Sequence, residues 1–219
     1  MKKELLSMAQ SKALRGIAIL GIILHNYCHF LGFAVKENEY TFTADKPQQL
    51  LSKVMAIDSN LFVHFFSFFG HYGVPVFLFI SGFGLVYKYE QHTPGRVRTL
   101  PFVGFHYAKL LRLMFLGYIG FALVSYLHPH GYHGYTTGRV VAQLFMYINL
   151  LPDPDHIIKP GPYWFFGLML QLYIVYRISI YRRSSWWVAG WIAACWIAQA
   201  FFTPTVDPDG ETLNRIRYN

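Results

Sequence analysis

The sequence predicts an all-α fold: a polytopic membrane helical bundle with about five full spans and one short re-entrant segment. Composition is the first reason, because 54% of the 219 residues are hydrophobic, 19% are aromatic and only 14% are charged, which is too apolar for an ordinary soluble domain. The second reason is a series of apolar runs close to the ~20 residues that a helix needs to cross a bilayer. The third is that basic residues lie at the ends of these runs, as topology signals do.

The net charge of +8 and the two cysteines exclude several other classes. A nucleic-acid-binding protein carries its basic residues on a polar face, whereas here they flank apolar runs, so we expect no nucleic-acid partner. Cys28 and Cys195 both lie within apolar stretches, which leaves no disulfide framework and no cysteine metal site. No cofactor is expected.

The charged residues also predict the orientation of the chain in the membrane. Residues 1–12 contain three lysines and one glutamate, so the positive-inside rule places the N-terminus in the cytoplasm. Residues 60–73 are expected to lie at the interface or to dip into the membrane. The predicted full spans are residues 13–34, 72–90, 113–127 with an amphipathic lead-in from about Phe102, 162–181 and 186–202.

Residues 140–151 are too short to cross the membrane and predict the re-entrant segment. If they crossed fully, Arg177, Arg182 and Arg183 would be stranded outside; if they only dip, this basic cluster and the 88–112 loop both face the cytoplasm. The tail breaks at prolines and starts a new element at about Thr212. We therefore expect residues 1–219 to be a single domain that is incomplete at its C-terminus.

The first apolar run carries the most informative polar residues. Arg15, His25 and His29 are costly within a bilayer, where ionisable residues usually face a bundle interior or a wet cavity. His25 and His29 are four residues apart and share a helix face. A bland alternative stays open, in which Arg15 snorkels to the headgroups and the histidines only pack.

Counting residues along the predicted spans places the polar side chains in two layers. The layer near mid-membrane consists of His25, Ser81 and Gln171. The layer at the cytoplasmic boundary consists of Arg15, Lys109 and Arg112. Such an arrangement suits transfer chemistry, with cations to hold an anionic donor and an imidazole further in to act as a base.

Each member of these layers also has an ordinary explanation. Ser81, in ISGFG, is a small residue of the type that allows close helix approach. Gln171 would serve as an interhelical hydrogen-bonding residue. Lys109 and Arg112 would serve as positive-inside residues.

The histidines at 128, 130 and 133 suggest a metal site by number alone. Pro129 and Gly131 interrupt any helical ligand face among them, so we expect no metal there.

The chain resembles the acyltransferase-3 family of integral membrane acyltransferases, which modify glycans and other extracytoplasmic acceptors. Four stretches carry the resemblance in the family's order: LRGIAILGIILH in the first span, GVPVFLFISGFGL in the second, KLLR at 109–112, and GPYWFFGLMLQLYIVY near residue 170. The resemblance implies a bundle of about ten helices and a cytoplasmic acyl-CoA donor. It also implies an essential arginine and histidine on the first helix, which map to Arg15 and His25, and a donor-contacting basic pair at Lys109 and Arg112.

We therefore expect a multi-pass enzyme of a bacterial-type inner membrane, an O-acyltransferase and most simply an O-acetyltransferase, that uses acyl-CoA in polysaccharide modification of the cell envelope. The acceptor would be an envelope glycan or a lipid-linked sugar, with membrane lipid around the chain. His25 would act as the base or acyl-relay group and Arg15 would orient it or bind the donor, supported by Ser81, Gln171 and His29. The alternative is a transporter or flippase-like bundle whose polar layer lines a permeation path.

Overall fold

The computed structural model describes residues 6–37, 43–128, 130–131, 134–151 and 154–201. These residues form helices joined by turns and loops and contain no strand, which confirms the all-α prediction. Three helical stretches among them are long and apolar enough to cross a membrane: Leu61–Gln91, Thr99–Leu127 and Gly161–Ile180. The count of five full spans stays a prediction, and the predicted new element at about Thr212 lies outside the described residues.

The chain divides into two compact units, residues 1–93 and 94–219. The helices of the first unit are α1 (Met8–His29), α2 (Asp45–Met55), α3 (Leu61–Phe69) and α4 (Gly73–Val86). A 3-10 turn, Gly70–Tyr72, joins α3 to α4, and a π-helical turn, Tyr87–Gln91, extends α4.

Helix α1 begins earlier than the predicted run of residues 13–34 because a capping box starts it. The Ser7 hydroxyl accepts a hydrogen bond from the backbone N–H of Gln10, and the Gln10 side chain accepts one from the N–H of Ser7. These two bonds satisfy donors that a helix N-terminus otherwise leaves unpaired. The helix ends at His29, so residues 30–37 form a loop.

Helices α3 and α4 pack together along α1, and two glycines allow this close approach. A Cβ atom on Gly70 would lie 2.6 Å from the Gly21 carbonyl oxygen, and one on Gly73 would lie 2.4 Å from the Ala18 carbonyl oxygen. Because Gly70 lies against residue 21 and Gly73 against residue 18, the α3–α4 stretch runs antiparallel to α1 at close range. Residues 60–73 thus lead directly into α4 as the start of the 31-residue stretch Leu61–Gln91, and their expected place at the interface or dipping into the membrane stays a prediction.

The second unit contains α5 (Thr99–Leu127), α6 (Thr137–Leu144), α7 (Pro154–Ile157), α8 (Trp164–Val175) and α9 (Ser185–Phe201). The start of α5 at Thr99 confirms that the lead-in from Phe102 belongs to the helix. His106 of α5 stacks on Tyr173 of α8 with ring centroids 4.1 Å apart. This buried contact joins the two long helices of the unit.

The segment predicted to be re-entrant does not form a long helix. Helix α6 has eight residues and is about 12 Å long, against the ~30 Å of a bilayer core. The chain then turns through the 3-10 helix Ile148–Leu150. Residues 140–151 are thus too short to cross, as the sequence predicts, and their entry into the bilayer from one side stays a prediction.

The basic end of α8 lies beside the residues that precede α5. Arg177 donates a hydrogen bond to the carbonyl oxygen of Val97, and the N–H of Val97 donates to the Tyr181 hydroxyl at 3.3 Å. The two stretches are therefore at one end of this unit, and the expectation that this end faces the cytoplasm stays a prediction.

Candidate active site

His25 is held in one orientation by the helix opposite it. Its Nδ1 atom lies 3.3 Å from the backbone carbonyl oxygen of Phe66, and its side chain is 13% exposed. A carbonyl only accepts hydrogen bonds, so this contact requires a proton on Nδ1, and in the neutral imidazole the lone pair is then on Nε2. An imidazole in this state can accept a proton at Nε2.

A buried carboxylate faces that lone pair. Glu37 lies 3.7 Å from Nε2 of His25 through Oε1, and its Oε2 lies 3.8 Å from Nδ1 of His29 and 3.7 Å from Nδ1 of His71. The Glu37 side chain is only 6% exposed. Because a buried charge is costly unless it is compensated, one carboxylate among three imidazoles is an arrangement in which a proton can be held or exchanged.

The loop that carries Glu37 is anchored by a fully buried histidine, His64. The N–H of Val35 donates to Nδ1 of His64 at 3.1 Å, and Nε2 of His64 lies 3.5 Å from Oδ1 of Asp58. Only 1% of His64 is exposed. Val35 is two residues before Glu37, so this contact fixes the loop close to the carboxylate.

Asp58 is suited to orient His64 because it stays ionised. The backbone N–H of Asn60, and then the ammonium of Lys53, hold the pKa of the Asp58 carboxyl below its ordinary value. The N–H of Asn60 donates to Asp58 Oδ1 at 2.8 Å, and Lys53 Nζ lies 3.1 Å from Oδ2. An ionised Asp58 favours a proton on the His64 nitrogen that faces it.

Arg15 lies toward the other end of α1, away from His25. The two residues are ten positions apart, which is about 15 Å along a helix. The Arg15 guanidinium packs 5.6 Å from the ring centroid of Phe77 on α4. Its buried Nε has no hydrogen-bond partner among the described residues. This distance is too long for Arg15 to orient His25 directly, so donor binding and snorkelling to the headgroups stay open as its roles.

Ser81 is not at the level of His25. His25 packs against Gly70, and Ser81 is eleven residues further along the chain, which is about 16 Å of helix. The structure therefore does not bring Ser81 and His25 into one layer of this unit, because α1 and α4 are antiparallel and their register is set by Gly70 and Gly73.

Gln171 pairs with an asparagine that the sequence analysis did not single out. The Asn149 amide donates to Gln171 Oε1 at 3.0 Å, and the Gln171 amide donates to Asn149 Oδ1 at 3.4 Å. A Cβ atom on Gly167 would lie 2.1 Å from Asn149 Oδ1, so that glycine gives the amide its space. Gln171 thus holds the turn after α6 against α8, which is the interhelical alternative weighed for it.

We expect Gln171→Leu to lower the free energy of unfolding by about 1–3 kcal/mol, because it leaves the Asn149 amide, 1% exposed, without this partner. The measurement is thermal or chemical unfolding in detergent. The matched control is the double variant Asn149→Leu/Gln171→Leu, which removes both amides and should lose less than the sum of the two single variants. Strict additivity would contradict the pairing.

Lys109 and Arg112 are both exposed on α5. They are three residues apart and are neighbours on the helix surface. Such a pair could bind the phosphates of a donor, or it could consist of positive-inside residues at the cytoplasmic boundary. Both interpretations stay open.

Of the three histidines near residue 130, His133 lies outside the described residues. The N–H of His130 donates to Nδ1 of His128 at 3.2 Å, a contact within one local turn. One ring nitrogen of His128 is therefore already used by the backbone.

Sequence reasoning missed Glu37, His71 and His64. Glu37 follows the first predicted span and lies outside every predicted span, and His64 and His71 lie within residues 60–73, which were expected at the interface or dipping into the membrane. One weak signal in the sequence could have identified His71: it lies between Gly70 and Gly73, and small residues of this kind mark a close approach of helices.

These features define a multi-pass membrane protein in which partly buried histidines surround a buried carboxylate. A family model described as Acyltransferase domain matches residues 9–210, and the chain belongs to this acyltransferase-3 family, as the sequence resemblance indicated. It is therefore a membrane acyltransferase, which acts on an acyl donor and on an acceptor in or at the membrane. No curated protein and no solved structure gives a significant match.

Proposed function

We propose that this enzyme transfers an acyl group, most simply acetyl, from cytoplasmic acyl-CoA to a hydroxyl of an envelope glycan or lipid-linked sugar. The membrane would be a bacterial-type inner membrane, with the N-terminus in the cytoplasm. The observation that carries the proposal is the state of His25: its Nδ1 is engaged by the Phe66 carbonyl at 3.3 Å, so its Nε2 is available as a base toward a hydroxyl.

In the proposed reaction the acceptor hydroxyl lies against His25 Nε2 and gives its proton to that nitrogen as its oxygen attacks the acyl carbonyl. A new ester C–O bond forms and the thioester C–S bond breaks. The CoA thiolate leaves and takes the proton back from the imidazolium. Atoms and charge balance without a further reactant, and His25 returns to its starting state.

Glu37 would stabilise the imidazolium that exists between these two proton transfers. Its Oε1 lies 3.7 Å from His25 Nε2, which is too long for a direct hydrogen bond but close enough for charge stabilisation in a site of low dielectric constant. Glu37 would thus lower the energy of the charged state without taking the lone pair of the resting base.

Arg15 would bind the donor at a distance from the reacting carbonyl. The long pantetheine arm of CoA separates its phosphates from its thioester, so phosphate-binding groups and the base need not be adjacent. The ~15 Å that ten residues of helix place between Arg15 and His25 suits this division, and an arginine fork is well matched to phosphate oxygens. Lys109 and Arg112, which lie in the second unit, are proposed as donor-contacting residues on the sequence resemblance alone.

The deciding experiment uses the purified chain in liposomes with acyl-CoA labelled in the acyl group. We expect label to become covalently attached to a glycan or lipid-linked sugar acceptor, in a manner that depends on the protein and on the acceptor. Exchange of unmodified substrate across the liposome membrane, without covalent transfer, would support the transporter alternative and overturn this proposal. A matched reaction without acceptor measures simple hydrolysis of the thioester.

A further inference from the structure

We propose that His25, Glu37 and His71 form a binding site for Zn²⁺, and that the bound ion inhibits acyl transfer. The binding part goes beyond the proposed function and stands by itself. The inhibition part rests on the proposed role of His25 as a base.

The distances between the donor atoms suit a metal ion. One ligand atom from each of the three residues lies within 4.8 Å of the others, and the two histidine–carboxylate distances are both 3.7 Å. Bonds of ~2.0–2.1 Å in tetrahedral geometry place ligand atoms about 3.4 Å apart. The two histidine–carboxylate distances, one to each oxygen of Glu37, exceed this spacing by about 0.3 Å, and the widest pair of ligand atoms exceeds it by up to about 1.4 Å, so side-chain rotations of about an ångström close the site around the ion.

The chemistry of these donors favours zinc over the common hard cations. Two imidazoles and a carboxylate are a usual ligand set for Zn²⁺, whereas Mg²⁺ and Ca²⁺ prefer sites built from oxygen. The ring of His29 is 5.0 Å from that of His25, and its Nδ1 lies 3.8 Å from Glu37 Oε2. His29 or a water would complete four-coordination.

Contacts around the ligands orient them as they are oriented in metal sites. A histidine that binds a metal through one nitrogen usually donates from the other to a carbonyl or carboxylate, and Nδ1 of His25 faces the Phe66 carbonyl. Glu37 is fixed from the other side, because Val35 is bonded to the buried His64. Two of the three ligands are thus positioned before any ion arrives.

Inhibition follows from the use of one lone pair. Nε2 of His25 is the atom that faces Glu37, and it is also the atom that the proposed reaction uses to accept the hydroxyl proton. It cannot coordinate an ion and accept a proton at the same time. Zn²⁺ binding and acyl transfer therefore exclude each other.

The binding test uses the full chain, purified in detergent, treated with a chelator and titrated with Zn²⁺ against a chromophoric competitor. We expect one ion per chain, and an affinity at least ~10-fold weaker in His71→Asn and in Glu37→Gln, because each removes a ligand. The matched control is His92→Asn in the same unit, an exposed histidine bonded to the Tyr87 carbonyl, whose affinity should equal that of the wild type. Unfolding temperatures verify that each variant is folded.

Absence of one-to-one binding to the wild type, or wild-type affinity in both ligand variants, would overturn the site. The activity test adds Zn²⁺ to the transfer assay, where we expect at least ~10-fold inhibition that a chelator reverses, and a half-inhibitory concentration at least ~10-fold higher in His71→Asn. Saturable binding with undiminished transfer would overturn the inhibition. Binding without any transfer in untreated protein would instead refute the proposed function and leave the metal site standing.

Discussion

His25→Gln is expected to lower the rate of acyl transfer by at least ~10²-fold, the usual cost of losing a general base. Glutamine is polar and of similar size and can still donate to the Phe66 carbonyl, which lies 3.3 Å from His25 Nδ1, so packing between α1 and α3 should survive. It has no lone pair able to take the hydroxyl proton at neutral pH. The measurement is covalent transfer of labelled acyl groups by protein whose membrane insertion and unfolding temperature match the wild type.

His29→Gln is the matched control, because its ring is 5.0 Å from that of His25 and it faces the same carboxylate. His29 is one helical turn further along α1 and is not the proposed base, so we expect a much smaller loss of transfer. If correctly inserted His25→Gln retained near-normal transfer, the mechanism would be wrong although membership of the family would stand.

The helices were predictable because their signals are local. Apolar runs predicted spans over 72–90, 113–127 and 162–181, which correspond to parts of Leu61–Gln91, Thr99–Leu127 and Gly161–Ile180, and the amphipathic lead-in from about Phe102 belongs to α5 as expected. The boundaries are less certain from sequence, since α1 starts at Met8 through a capping box at Ser7 that precedes the apolar run. Periodicity finds the body of a helix, while side-chain hydrogen bonds set its first residue.

The composition of the site was predictable only in part, because it depends on contacts between distant residues. His25 was predicted because an ionisable residue is costly within a membrane span. Glu37 and His71 reach the same site from a loop and from a 3-10 turn. Counting depth from the start of each predicted span placed Ser81 beside His25, and the count failed because the register of α1 against α4 is set by Gly70 and Gly73. Sequence alone does not reveal which backbone atoms those glycines meet.

Gly70→Ala is expected to lower the free energy of unfolding by about 1–3 kcal/mol, the usual cost of overpacking, and to lower acyl transfer as well. Gly70 has an ordinary helical φ of −64°, so the backbone itself accepts alanine. The cost comes from space: the new Cβ would lie 2.6 Å from both the Gly21 carbonyl oxygen and the His25 Cβ. Backbone atoms cannot rotate away, so α1 and α3 must separate, and the contact between His25 and Phe66 must lengthen.

The matched control is Gly82→Ala within α4, where a Cβ would meet nothing within 4 Å and where alanine favours the helix by up to ~1 kcal/mol. Unfolding in detergent and the transfer assay should place Gly82→Ala at or above the wild type and Gly70→Ala below it in both. Equal stability of the two variants would mean that α1 and α3 are not in close contact at Gly70. A loss of transfer without a loss of stability would mean instead that the added methyl group acts on His25 alone, with the helices left in place.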